Sequence, residues 1–196
     1  MKRSVLPWIV VMAVVLTAAA FGALTLSRWL ARGTGERAPE AAAAPAATPK
    51  IKATLFYVDP DGVRLAPAER EVAFGEGTLE QARRIVEAQL EPVEAPLVSP
   101  IPAGTRLRAL YLTEANQAFV DLSAEVRSKH PGGLTNEILT VYAVVDAITV
   151  NLPAITGVQI LVDGREVDTL AGHVDLRRPL TRSTLWIDEG NRPLTP

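Results

Sequence analysis

The sequence predicts an α+β fold: a small mixed or antiparallel β-sheet with two helices packed on one face. Three observations lead there. Two stretches, from Thr78 to Glu91 and from Thr135 to Leu152, repeat apolar residues at helical spacing and stop at Pro92 and Pro153. Around them lie short runs rich in β-branched and aromatic residues, closed by strong turn signals. The resulting order is β, β, α, β, β, α, β, β, with no internal repeat.

The first strand is "IKATLFYV", closed by Asp59-Pro60-Asp61-Gly62. A second extended piece runs from Val63 to Phe74. Thr78 and Gln81 have the spacing of a capping box, and Leu79, Ala82, Val86 and Leu90 fall on one helical face. After the proline-rich "PLVSPIPAG", the segments "TRLRALYLT" and "QAFVDLS" form a hairpin about Glu114-Ala115-Asn116. In the longer helix Ile138, Val141, Tyr142, Val145, Ile148 and Leu152 share a face. "GVQILVD" follows as a buried strand, and Asp163-Gly164 signals a type I′ turn into "REVDTL".

The ends differ in composition from this folded part, expected over 51–190. Ser4 to Ser27 carries no charge and is long enough to cross a bilayer as a helix. Trp8 and Trp29 would sit about 31 Å apart along it, one near each headgroup layer. Residues 1–30 therefore read as a retained transmembrane anchor rather than a cleaved signal segment. The remainder is expected outside the cell membrane, as a single-pass protein. Residues 31–50, rich in Ala and Pro, cannot bury enough apolar surface to fold and read as a linker. Residues 191–196 read as a tail.

Composition excludes several functions. There is no cysteine, hence no disulfide, thiolate metal site or cysteine nucleophile. Residues 51–196 hold 14 Lys/Arg against 20 Asp/Glu, a net of −6, where a nucleic-acid binder shows a basic footprint. Asp121, Ser123 and His130 lie within ten residues, like the parts of a hydrolase triad. Ser123, however, lacks a Gly-x-Ser-x-Gly elbow, and "SKHPGG" looks too mobile to fix an imidazole. The plainer reading is that Ser123 ends a strand and caps a helical turn. His173 and Asp175 could offer two metal ligands, but no third is visible. "DPDG" resembles the start of a calcium loop, yet Arg64 and Arg70 occupy the sixth and twelfth positions. Asp146, a lone acid in an apolar helix, reads either as a helix-face salt bridge or as a polar contact under a loop, the former preferred. No catalytic, cofactor-binding or metal-binding residue is expected.

Several segments together resemble the GerMN domain of sporulation and spore-germination envelope proteins: "ATLFYVDPDGVRLAPAEREV", "SPIPAGTRLRALYLTEANQAFVDLS", "GGLTNEILTVYAVVDAIT" and "GVQILVDGREVDTLAGHVDL". They occur in family order over Ala53 to Leu176. The resemblance implies a fold similar to ring-building motif domains, membrane tethering outside the cytoplasm, and no established enzymatic activity. Asp146 stands where many relatives carry Asn. The expected function is a non-enzymatic domain in the assembly or scaffolding of a bacterial envelope complex, related to sporulation or germination. The alternative is a module binding cell wall or a small ligand, with a serine hydrolase third. Expected partners are envelope proteins or further copies of the chain, the membrane through the N-terminal helix, and peptidoglycan. Arg106 and Arg108 would form a rim contact with acidic residues of a neighbouring domain.

Overall fold

A computed structural model of the protein describes residues 49–188. The expected anchor, the tail at 191–196, and all of the linker but Pro49 and Lys50 lie outside the described residues. No helix among the described residues is long and apolar enough to cross a membrane.

The first strand, β1 (Lys50–Val58), pairs antiparallel with β2 (Leu65–Ala73) in register from Lys50↔Ala73 to Val58↔Leu65. Asp59 makes the turn that joins them, its Oδ1 accepting the N–H groups of Val63 (2.9 Å) and Arg64 (3.0 Å). Helix α1 (Gly77–Leu90) follows. Strands β3 (Leu107–Leu112) and β4 (Gln117–Leu122) form the expected hairpin. A short helix α2 (Glu125–Ser128) and the long helix α3 (Leu134–Asn151) then cross over to β5 (Gly157–Val162), parallel to β4. The connection has the length that parallel pairing needs. Asp163 and Gly164 both have positive φ, as a type I′ turn requires, and lead into β6 (Arg165–Glu166).

The α+β class holds, and the larger sheet is mixed. The strands are divided, however, between a two-stranded sheet and a four-stranded sheet in the order β3-β4-β5-β6. The reason lies at the outer edge of β1. Asn151, at the end of α3, accepts the Thr54 N–H (2.9 Å) and donates to the Thr54 C=O (2.8 Å). Gln89 of α1 does the same for Phe56, at 2.9 and 2.8 Å. The Val58 N–H is taken by the Val98 C=O at 2.8 Å. Two side-chain amides thus replace a neighbouring strand, and that edge cannot join the second sheet.

Helix α3 is central, packed on β1, α1 and β5, and buried around most of its circumference rather than on one face. Helix α1 turns Ala82, Ile85 and Val86 inward with Gln81 and Gln89, while Leu79 is exposed. The apolar stripe had placed Leu79 inside; the amides take that place because they have backbone partners. The capping box at Thr78 does not form. The helix starts from Glu76 without a side-chain cap, and Gln81 reaches back to the Gly75 N–H (2.9 Å). A Cβ on Gly75 would lie 2.6 Å from the Gln81 N, so glycine is required there.

Candidate functional site

The residues that suggested a triad are not brought together. The Ser123 Oγ accepts the Arg106 N–H at 2.9 Å, tying β4's exit to the approach of β3 rather than capping α2. The same hydroxyl holds the Glu125 carboxyl below its usual value. Asp121 accepts the Gly164 N–H at 2.7 Å and faces Arg108 at 3.4 Å. His130 is fixed, contrary to the expectation of a mobile loop. The Thr140 hydroxyl donates to the Pro100 C=O (2.7 Å), so it accepts from His130 Nε2 (3.2 Å), while His130 Nδ1 accepts the Gly132 N–H (2.9 Å). Both ring nitrogens are used in the neutral form, and burial lowers the imidazole's pKa more than the Glu137 charge raises it. Among the described residues no hydrogen bond or ion pair links Asp121, Ser123 and His130.

Glu137, in the first turn of α3, is the polar centre that sequence reasoning missed. It is fully buried. Its Oε1 accepts the N–H groups of Leu170 (2.8 Å) and Ala171 (2.9 Å). Its Oε2 accepts the His173 N–H (2.8 Å) and lies 3.1 Å from His173 Nδ1. Burial alone would raise its pKa, but these donors outweigh burial and hold the carboxyl below the usual range. A buried carboxylate with every lone pair occupied is a clamp, here joining α3 to the loop after β6. The signal in the sequence was an acid just after Gly132-Gly133, at the mouth of an apolar helix. His173 serves this clamp, and Asp175 turns instead to Arg177 at 2.7 Å. Among the described residues no group of three or more His, Asp or Glu could hold a metal ion.

Asp146 departs from the preferred salt-bridge reading and fits the other, a polar contact beneath later chain. It is fully buried and makes no ion pair within the described residues. Its Oδ1 accepts the Ser183 N–H at 3.1 Å, and its Oδ2 has no hydrogen-bond partner there. Burial pushes the carboxyl up to about 6, against the Ser183 N–H and the charge of Arg182. The reason is the chain beyond β6, which folds back over α3. Leu180 pairs with Val158 of β5 through two 2.8 Å hydrogen bonds. The Leu65 N–H of β2 donates to the Trp186 C=O (2.7 Å), and the Asp188 N–H to the Leu65 C=O (2.8 Å). Trp186 rests against Tyr142 of α3, ring centres 6.3 Å apart. Periodicity had counted Asp146 as surface because this strap lies outside the helix's own pattern.

Open clefts also mark the surface of the described residues. One of about 740 Å³ lies beside α2 and β6 and is lined by Arg127, Asp163, Arg165 and Glu166. Another, of about 520 Å³, is walled by Pro92, Pro100, Pro102 and Pro131. The expected rim arginines are engaged within the chain: Arg108 with Asp121 and Asp163 at 3.4 Å each, and Arg106 with Glu125 at 3.8 Å.

An α+β domain whose buried acids clamp loops and whose sheet edges are closed by amides and a strap is defined by its packing. A family model described as Germane, sporulation and spore germination, matches residues 54–168, and the chain belongs to this GerMN domain family. Two solved structures share the fold. The first GerMN domain of the sporulation protein GerM from Bacillus subtilis is 17% identical, covers 67% of this chain and 98% of that one, with a TM-score of 0.53. The tandem GerMN domains of the same protein are 15% identical at a TM-score of 0.53. That match covers 68% of this chain and 46% of the tandem chain, so this chain spans about half of the tandem's length. None of the curated proteins matches by sequence.

Proposed function

We propose that this protein is a non-enzymatic, membrane-anchored extracytoplasmic domain that acts in the assembly of a bacterial envelope complex, in sporulation or germination. The observation that carries the reading is membership of the family over residues 54–168, together with the uses found for Asp121, Ser123, His130, Glu137 and His173. Each of these five has a hydrogen-bond partner within the fold. The N-terminal apolar segment would hold the domain at the membrane, and the Ala/Pro linker would give it reach.

The test is proximity cross-linking of the full chain in the membranes of the producing bacterium, beside retention of the purified full chain on isolated cell wall. Defined, stoichiometric envelope partners support assembly. Saturable retention on wall, without such partners, would replace assembly by the wall-binding alternative. A double substitution, Ser123→Ala with His130→Ala, is expected to leave the envelope phenotype unchanged if the protein still folds. The cleft beside α2 favours the small-ligand alternative in one respect, since Arg127 and Arg165 both line it.

A further inference from the structure

The C-terminal strap lies beyond the family segment, which ends at residue 168, yet it closes an edge of both sheets. Among the described residues its backbone pairs with β5 through Leu180 and with β2 at Leu65, with one isolated bridge at each. By contrast, β4 and β5 pair over six residues. Its seat is shaped for it. A Cβ on Gly157 would come within 3.2 Å of the Pro179 Cβ, so a side chain at the start of β5 would press on the strap. The seat also carries a cost. Closing the strap buries Asp146 with Oδ2 lacking a hydrogen bond among the described residues, and a buried acceptor left unsatisfied opposes closure.

The strap has a defined root. Leu176 is buried, and its N–H donates to the Asp168 C=O at 2.8 Å. Arg177, Arg178 and Pro179 then bridge to Leu180 as a short, proline-bearing hinge, of the kind that permits exchange of an element between copies. A segment that fits this seat is present in every copy of the chain. In an exchanged pair each Leu180–Val158 and Leu65–Trp186 contact is reproduced between chains. The unfavourable term is then the loss of independent motion, which tethering to one membrane reduces.

We propose that residues 179–188 exchange between copies, each strap closing the sheet edges of a neighbour. This deepens the assembly reading and rests on it. The exchanged contact is heterologous, strap to seat, so it closes a pair when reciprocal and propagates a chain when not.

The absence of native cysteine makes the test direct. Full-length chains carrying V158C and, separately, L180C, with different tags, are co-expressed in membranes and oxidised. A second pair, L65C with I187C, probes the other sheet and guards against a folding defect in the first. The control mixes V158C with L185C, because Leu185 is 76% exposed on the same strap and reports random collision. Expected is a disulfide-linked heterodimer in both pairs, several-fold above the control. Heterodimer no greater than control, with V158C/L180C in one chain closing internally, would overturn the inference. Failure of both the mixed and the single-chain pairs would overturn it equally, since the seat itself would be wrong. A chain that yields only internal disulfides yet cross-links defined envelope partners loses the exchange and keeps assembly.

Discussion

Asp146→Asn is expected to stabilise the fold near neutral pH and to leave it unchanged near pH 4. The carboxyl is fully buried under the strap and pushed up to about 6, from an ordinary aspartate value near 4. At ~1.4 kcal/mol for each tenfold change in proton affinity, that displacement amounts to about 3 kcal/mol of opposition to folding once the group is ionised. The sign follows from proton counts. Between about pH 4 and 6 the folded state holds a proton that the unfolded state has released. The wild-type protein therefore gains stability from this group as pH falls through 6 and loses it as pH rises.

Asparagine removes the charge and keeps an oxygen for the Ser183 N–H. Its new N–H₂ group must fit where Oδ2 sat, which reduces the gain. The expected difference is about 1–3 kcal/mol in favour of the variant at pH 7.5, shrinking to near zero by pH 4. Urea unfolding of the full chain in mild detergent, followed by far-ultraviolet circular dichroism at several pH values, measures it. His130 acts in the opposite direction. Its lowered imidazole pKa costs stability as pH falls below about 6.5, but it is present in both proteins and cancels in the difference. A variant less stable at pH 7.5, or a difference that does not change with pH, would refute the reasoning.

Three further substitutions probe the other polar centres. Glu137→Gln sets an amide N–H₂ against the N–H groups of His173 and should cost roughly 2–4 kcal/mol, with faster hydrogen exchange at the His173 N–H. Because the Glu137 carboxyl is held below its usual value, the wild-type clamp is present above about pH 4.3 and weakens as pH falls through the lower folded value. Gln89→Leu leaves the Phe56 N–H and C=O unpaired, and is expected to cost about 2–3 kcal/mol and to raise aggregation through the opened β1 edge, measured by light scattering. Tyr57→Phe removes a buried hydroxyl with no hydrogen-bond partner among the described residues. It should leave urea stability unchanged or raise it by up to about 1 kcal/mol; a clear loss would show that the hydroxyl is satisfied.

What the sequence made legible follows from the range of the forces involved. The Asp163-Gly164 turn, the Glu114–Asn116 hairpin and the extent of α3 depend on residues within a few positions of each other, and each lies where pattern and turn chemistry put it. The division into two sheets depends on Asn151 and Gln89 reaching β1 from 97 and 33 residues away. Periodicity scores an amide as polar surface and has no term for its ability to copy a strand's ladder. Glu137 was hidden, and the partner of Asp146 unreadable, for the same reason, since each acid answers to a loop or strap that follows α3 in sequence and covers it in space. The two acids nevertheless differ in kind. Glu137 has four donor contacts, so its burial fixes a loop. Among the described residues Asp146 has one, so its burial, once it is ionised, opposes the closure that causes it.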